Sequence, residues 1–252
     1  MAVTIKKISE KGSTEKFLVK GASIALMNSI RRSILEDVPC LAIEDVTIYE
    51  NDSVMFDEFL AHRLGMLPVK TDFKGYKKGD TVKLVLEKEG PCTVYSKDIK
   101  STDPKIDISD KKIPIVKLGK GQSIKIEMDA AMHSGKEHAK WQPAVVAYQE
   151  VASLECTKDC NECEECIKTC PQNILEIKAK KITMTDPYAC ILCKACEEAC
   201  KTDALKITVE PDTYVFTIET QGMLESKECF LGATGSLKNK AKEFEKLLSK
   251  IE

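Results

Sequence analysis

The sequence predicts an α+β fold in which one domain, built from the two ends of the chain, is split by a mostly-β insertion and by a compact cysteine-rich one. Three observations predict this. Amphipathic helical patterns lie near both ends of the 252 residues, short alternating strands fill the middle, and nine of the twelve cysteines crowd between Cys156 and Asp203.

The cysteines repeat. Eight form two identical runs, Cys160, Cys163, Cys166, Cys170 and Cys190, Cys193, Cys196, Cys200, each member thirty residues after its counterpart. Ile174, Leu175 and Ile177 are echoed by Ala204, Leu205 and Ile207, so the block is a tandem duplication. Three thiolates in C-x-x-C-x-x-C can reach three iron corners of one cubane, and a short helix then carries the fourth cysteine to the other cluster, as in bacterial two-cluster ferredoxins. Cys160, Cys163, Cys166 and Cys200 are therefore expected to hold one [4Fe-4S] cluster, and Cys170, Cys190, Cys193 and Cys196 the second. Zinc fits less well, because structural zinc sites take separated ligand pairs, often with histidine, and the block has no histidine. Disulfides fit worse still in a chain without a secretory apolar stretch at its start. Pro171 follows the first run as the pattern asks, whereas Lys201 stands in its place after the second, which alters a helix exit and not a ligand. Cys156, just upstream, reads either as a passive packed thiol or as an alternative ligand during assembly or damage.

Taken in order, Val3 to Ile8 and Lys16 to Val19 alternate as short strands. From Ser23 the period becomes helical: Ile24, Met27, Ile30, Ile34 and Leu35 form an apolar stripe, with Ser23 as its cap and Pro39 as its stop. Asn28, Arg31 and Arg32 lie on or beside the polar side, where they are either a wetted face or partners for carboxylates of a larger assembly. Leu41 to Tyr49 is extended, but its apolar parity changes, which a bulge near Glu44 and Asp45 reconciles. A short helix carries Phe56, Phe59, Leu60 and Leu64 and stops at Gly65 and Pro68; His62 inside it reads as a satisfied structural histidine.

After a polar loop over 69–80, Val82, Leu84 and Leu86 alternate, as do Ile124, Ile126 and Met128, with shorter candidates at Ile106, Ile108 and Ile113, Ile115. A polar loop from Gly135 carries the one tryptophan, Trp141, as core at the loop base or as an anchor for a partner. Beyond the cysteine block, Tyr214, Phe216 and Ile218 form a strand. The longest helix follows, with Phe230, Ala233, Leu237, Ala241, Phe244, Leu248 and Ile251 on one stripe, Ser226 as its cap, and Gly232 and Gly235 weakening its start.

Net charge is -2, so no whole-chain field favours nucleic acid. No apolar run reaches the roughly eighteen residues of a membrane span, and the chain reads as a soluble cytoplasmic protein. No phosphate loop, nucleophile elbow, histidine metal triad or D-x-D pair is present, so no catalytic centre is expected. The economical division is 1–50 and 209–252 as one split dimerisation domain, 51–155 as the β-rich insertion, and 156–208 as the iron-sulfur domain. Two long apolar stripes on so small a domain need a protein partner.

The run from Asn28 to Leu35, followed by Val38-Pro39 and Ala42-Ile43, resembles the first helix of the α-like subunits of DNA-directed RNA polymerase. Leu60 to Val69 resembles that family's next helix and loop, Gly135 to Trp141 with Pro143 the loop shared by archaeal and eukaryotic members, and Phe216 to Leu248 the final strand and helix. With the ferredoxin-like insertion, the archaeal members fit best. The resemblance implies a non-catalytic assembly subunit of the polymerase, a nucleotidyltransferase complex. Its split domain would pair with the small α-like subunit L and, with small subunits N and P, form the platform for the large catalytic subunits, with little or no nucleic-acid contact. Asn28, Arg31 and Arg32, with His62 and Arg63, would face the large subunits, and the loop from Lys136 to Trp141 would reach the second-largest. Ile34, Phe230, Leu237, Phe244 and Leu248 would supply apolar interface. Family members differ in whether they keep the cysteines; here both sets are complete, and the clusters would be structural or redox-responsive. An electron-transfer subunit would share the cysteine block but not the flanking motifs.

Overall fold

The structure, a computed structural model, describes residues 3–73, 75–179 and 181–251. In chain order, strands β1 (Thr4–Lys11) and β2 (Thr14–Lys20) precede helix α1 (Ile24–Glu36), strand β3 (Pro39–Asn51) and helix α2 (Asp57–Gly65). Strands β4 (Thr81–Glu89), β5 (Cys92–Tyr95), β6 (Lys100–Ser101), β7 (Pro114–Leu118), β8 (Ser123–Ser134) and β9 (Ala144–Cys156) follow. The cysteine block holds α3 (Glu165–Thr169), β10 (Leu175–Lys178), β11 (Lys181–Met184) and α4 (Ala195–Glu198), before β12 (Leu205–Thr220) and α5 (Ser226–Leu248). The chain divides into two compact units. One gathers Met1–Ser9, Lys16–Met27 and Ala147–Thr217; the other gathers Glu10–Glu15, Asn28–Val146 and Ile218–Glu252.

In the first unit a sheet runs in the order β1-β2-β12-β9, and β10 pairs antiparallel with β11. Tyr148 and Tyr214 stack edge to face at 6.0 Å on neighbouring strands. Ser23 caps α1 as its sequence position suggests, accepting from Leu26 N at 3.3 Å.

In the second unit the order is β3-β8-β4-β6, with a separate β5-β7 pair. Leu41, Ile43, Leu60, Leu64, Leu84 and Ile126 are among the residues of its core. The register between β3 and β8 shifts between Ile43 and Asp45, so Glu44 is an extra residue there. That bulge returns Val46 and Ile48 to the face already occupied by Leu41 and Ile43. Ile106 and Ile108 are buried but form no strand beyond a single bridge from Ile108 to Val69. Asp103, Asp107 and Asp110 explain why: each carboxylate accepts a nearby backbone N–H, from Lys105, Ile108 and Lys112, and these local bonds displace ladder pairing.

The last helix is capped by Glu225 and not by Ser226. Glu225 and Glu228 form a reciprocal capping box, which also sets negative charge at the helix N-terminus. Gly232 permits close packing, since a Cβ there would lie 2.9 Å from Phe73 and 3.2 Å from Val38. Ser33 Oγ lies within reach of Asp37 Oδ2 (2.9 Å) and Ala233 O (3.2 Å), and Lys240 Nζ donates to both Asp37 oxygens at 2.7 Å. These bonds tie α5 to α1.

The loop after β8 approaches α1 just as closely. A Cβ on Gly135 would sit 1.9 Å from the carbonyl oxygen of Leu35, and Lys136 N donates to Glu36 O at 3.1 Å. Gly135→Ala should therefore force the loop off the helix and cost about 1–3 kcal/mol. Thermal unfolding followed by Trp141 fluorescence reads this out; an unchanged midpoint would contradict the close approach.

Candidate metal centres

Two cavities in the first unit are walled by thiols. Cys160, Cys163 and Cys166 share the first with Cys200; Cys190, Cys193 and Cys196 share the second with Cys170. Each run thus walls its own cavity with three cysteines and sends the fourth to the other.

The duplicated sequence folds into duplicated backbone. Left-handed residues recur thirty apart: Glu162 and Leu192 (φ 57° and 55°), Glu164 and Lys194 (62° and 61°), Asn173 and Asp203 (51° and 50°). Hydrogen bonds recur with them. Ile167 N donates to Glu164 O at 3.0 Å and Glu197 N to Lys194 O at 2.9 Å, which start α3 and α4; Asn173 N and Asp203 N close the turns after Cys170 and Cys200. None of these left-handed residues is glycine, and each costs about 1–2 kcal/mol relative to the right-handed region. The thiols and a small apolar set including Ala152, Ile182, Leu205 and Ile207 hold the loops in place.

Burial pushes the Cys196 thiol up to about 11, with the nearby Cys170 adding to it. Burial likewise raises Cys166. For Cys200 burial acts upward too, but bonds from the Thr202 hydroxyl and the backbone N–H groups of Ala204, Thr202 and Leu205 outweigh it and hold this thiol below the usual range. Among the described residues no three His, Cys, Asp or Glu side chains converge on a point where one ion would sit. The thiols instead surround space. Four soft sulfur donors spread around an apolar-walled void suit a multi-iron cluster better than one tetrahedral ion.

Of the four remaining cysteines, Cys40, Cys92 and Cys229 lie in the second unit. Cys156, at the end of β9, is half-buried and contacts Cys160. Cys40 and Cys229 are buried in the second unit, where burial raises both thiols, Cys229 to about 12. They belong to the core.

The expected interface residues separate into two groups. Arg32, Lys136, Phe244 and Leu248 are exposed, and Asn28, Arg31, Phe230 and Leu237 are half-buried. Ile34 is fully buried, and Trp141 is only 4% exposed with its indole N–H donating to Ala131 O at 3.0 Å. These two are corrected to core positions, because their apolar surface is already spent inside the chain. Lys140 explains the setting of Trp141: its ammonium lies 4.5 Å from the ring centroid, donates to Ile43 O at 2.9 Å and pairs with Glu44. His62 is exposed on α2, and the adjacent Arg63 donates to Pro114 O at 2.6 Å. Leu231 and Leu247, exposed on α5, lie outside the helical stripe that periodicity marks.

Residues 46–152 match the RNA polymerase Rpb3/RpoA insert domain, and residues 159–204 match a 4Fe-4S dicluster domain. Together they define an α-like polymerase subunit with an inserted two-cluster iron-sulfur domain. DNA-directed RNA polymerase subunit Rpo3 of Methanosarcina acetivorans is 36% identical, over all of this chain and 99% of its own length. The Rpo3 subunits of Archaeoglobus fulgidus and Pyrococcus furiosus are each 35% identical, over 100% of both chains and over 99% of this chain and 98% of the relative, respectively. The chain belongs to the Rpo3 family of archaeal RNA polymerase subunits. It is a non-catalytic subunit of a DNA-directed RNA polymerase and carries a domain for two [4Fe-4S] clusters. No helix among the described residues is long and apolar enough to cross a membrane.

Protein purified without oxygen should contain about eight iron atoms and as many sulfides per chain, four of each per cubane. Stoichiometric zinc without sulfide would contradict this.

Proposed function

We propose that this chain is the assembly scaffold of its polymerase. The segments 1–50 and 209–252 form its dimerisation domain, which pairs with the small α-like subunit L. With subunits N and P, the pair is the platform on which the two large catalytic subunits assemble. One observation carries the reading: the last turns of α5 leave Phe244, Leu247 and Leu248 at 64%, 61% and 50% exposure, and Ile251 just beyond the helix is at 76%. A helix end this apolar is ordinarily covered by a partner. Arg32, paired with Glu36 at 3.5 Å, and Lys136 are exposed on α1 and on the loop after β8, where they can meet the large subunits, and Asn28 holds the Arg31 guanidinium at 3.0 Å.

In the iron-sulfur domain, Cys160, Cys163, Cys166 and Cys200 are the ligands of the first cluster. Cys170, Cys190, Cys193 and Cys196 are those of the second. The shared cavity walls support this assignment. The clusters hold the block folded and let it respond to oxidants.

Replacing Phe244 and Leu248 together with aspartate should abolish stable pairing with subunit L. Each large side chain contributes about 1.5–3 kcal/mol when buried, and two carboxylates add a desolvation cost. Unchanged affinity in a titration of the double variant would place the interface elsewhere.

Cys196→Ser tests the role of the clusters. It should lose iron and expose amides of 156–207 to hydrogen exchange, and impair later large-subunit assembly, while 24–35 and 230–248 stay protected and pairing with L survives. Equal loss of protection in those helices would mean that the clusters support the dimer core as well.

A further inference from the structure

The two thiol cavities are alike in backbone and opposite in charge. Among the described residues, the charged residue lining the first is Glu164 and the charged residue lining the second is Lys194. They occupy the same place in the duplicated motif, one residue after the second cysteine of each triplet, with φ of 62° and 61°. Each begins the helix that carries the third cysteine. The surroundings reinforce the contrast. Asp159 and Glu162 also flank the first two cysteines of the first triplet, where the second has Ala189 and Leu192, while Glu165 pairs with Lys168 at 3.2 Å.

We propose that the two clusters are not equivalent: the one walled by Lys194 is the electron-accepting site, and the one walled by Glu164 stays oxidised under the same conditions. The inference rests on the ligand assignment above. Four thiolates already leave an oxidised cubane anionic. Reduction adds one electron from a one-electron donor, such as a flavin or another iron-sulfur protein, and breaks no bond. The added negative charge is favoured beside an ammonium and disfavoured beside a carboxylate. Two features work against a split. Bonds from Thr202 and neighbouring N–H groups to the Cys200 sulfur favour reduction at the first cavity. Glu197 and Glu198 follow Cys196 on α4, beside the second cavity, and their negative charge opposes reduction there. The wall residues differ by a full reversal of sign at equivalent positions, and we take that difference to set the order of reduction.

An anaerobic redox titration of the full chain, followed by electron paramagnetic resonance, tests this. Iron and sulfide are counted on every sample. The expected result is that the first wave to appear on reduction shifts to lower potential in Lys194→Glu and stays in place in Glu164→Lys. The later wave rises in Glu164→Lys. Both residues are exposed, so the separation should narrow as salt screens them. Coincident waves from fully loaded protein, or a first wave that moves with Glu164→Lys, would overturn the proposal. Fewer than about eight iron and eight sulfide per chain would instead refute the ligand assignment on which it rests.

Discussion

Each thiol cavity is closed by a cysteine from the other run, and the whole cysteine block depends on that crossing. Neither half can complete its wall alone, so the two repeats must fold against each other. α3 and α4 accordingly pack together, with Cys166 and Cys196 buried on them. Paired non-glycine residues in left-handed conformations are the cost of turning each triplet around its cavity. The apolar set beneath is small, and many of its members are the cysteines themselves. A block of this size has little core from which to offset the strain, which is why ligation and folding are expected to be one process.

The block is not a bead on a linker. β9 ends at Cys156 and β12 begins at Leu205, and the two strands are neighbours in one sheet. Thr157 N donates to Ala204 O at 2.8 Å, so the pairing continues to the wall of the first cavity. Further along β12, Tyr214, Val215 and Phe216 are buried without help from the thiols. Disorder entering from the cysteines would therefore travel along the strands only until it meets side chains that bury their own surface.

Much of this was legible in the residues. The cysteine spacing specified which thiols meet, because a cubane constrains four donors across two chain segments. The parity change in Leu41 to Tyr49 placed a bulge near Glu44 and Asp45, because side chains alternate strictly on a strand, and the register shift falls at Glu44. Other features depend on partners distant in sequence. Ile34 lies on the same helical stripe as Ile24, yet one is buried and the other exposed, because α5 covers only part of that helix. Phe56 and Phe59 share a stripe with Leu60 and Leu64, but only the leucines reach the core. Periodicity finds an apolar face; it does not say how much of that face the chain itself will cover.

The same limit bears on α5. Its first half is fastened within the chain by the close approach at Gly232, by Ser33 at Ala233 and by the Asp37 carboxylate at Lys240. Beyond Leu237 the burial stops while the apolar repeat continues through Phe244, Leu248 and Ile251. An isolated helix end of two turns would fray in water, since intrinsic propensity alone is marginal at this length. The repeat therefore has no stabilising role inside the chain. It acquires one when a second surface buries it, and the fastening of the first half fixes the direction in which that surface is offered. Internal packing orients the helix and leaves the rest of its apolar repeat exposed.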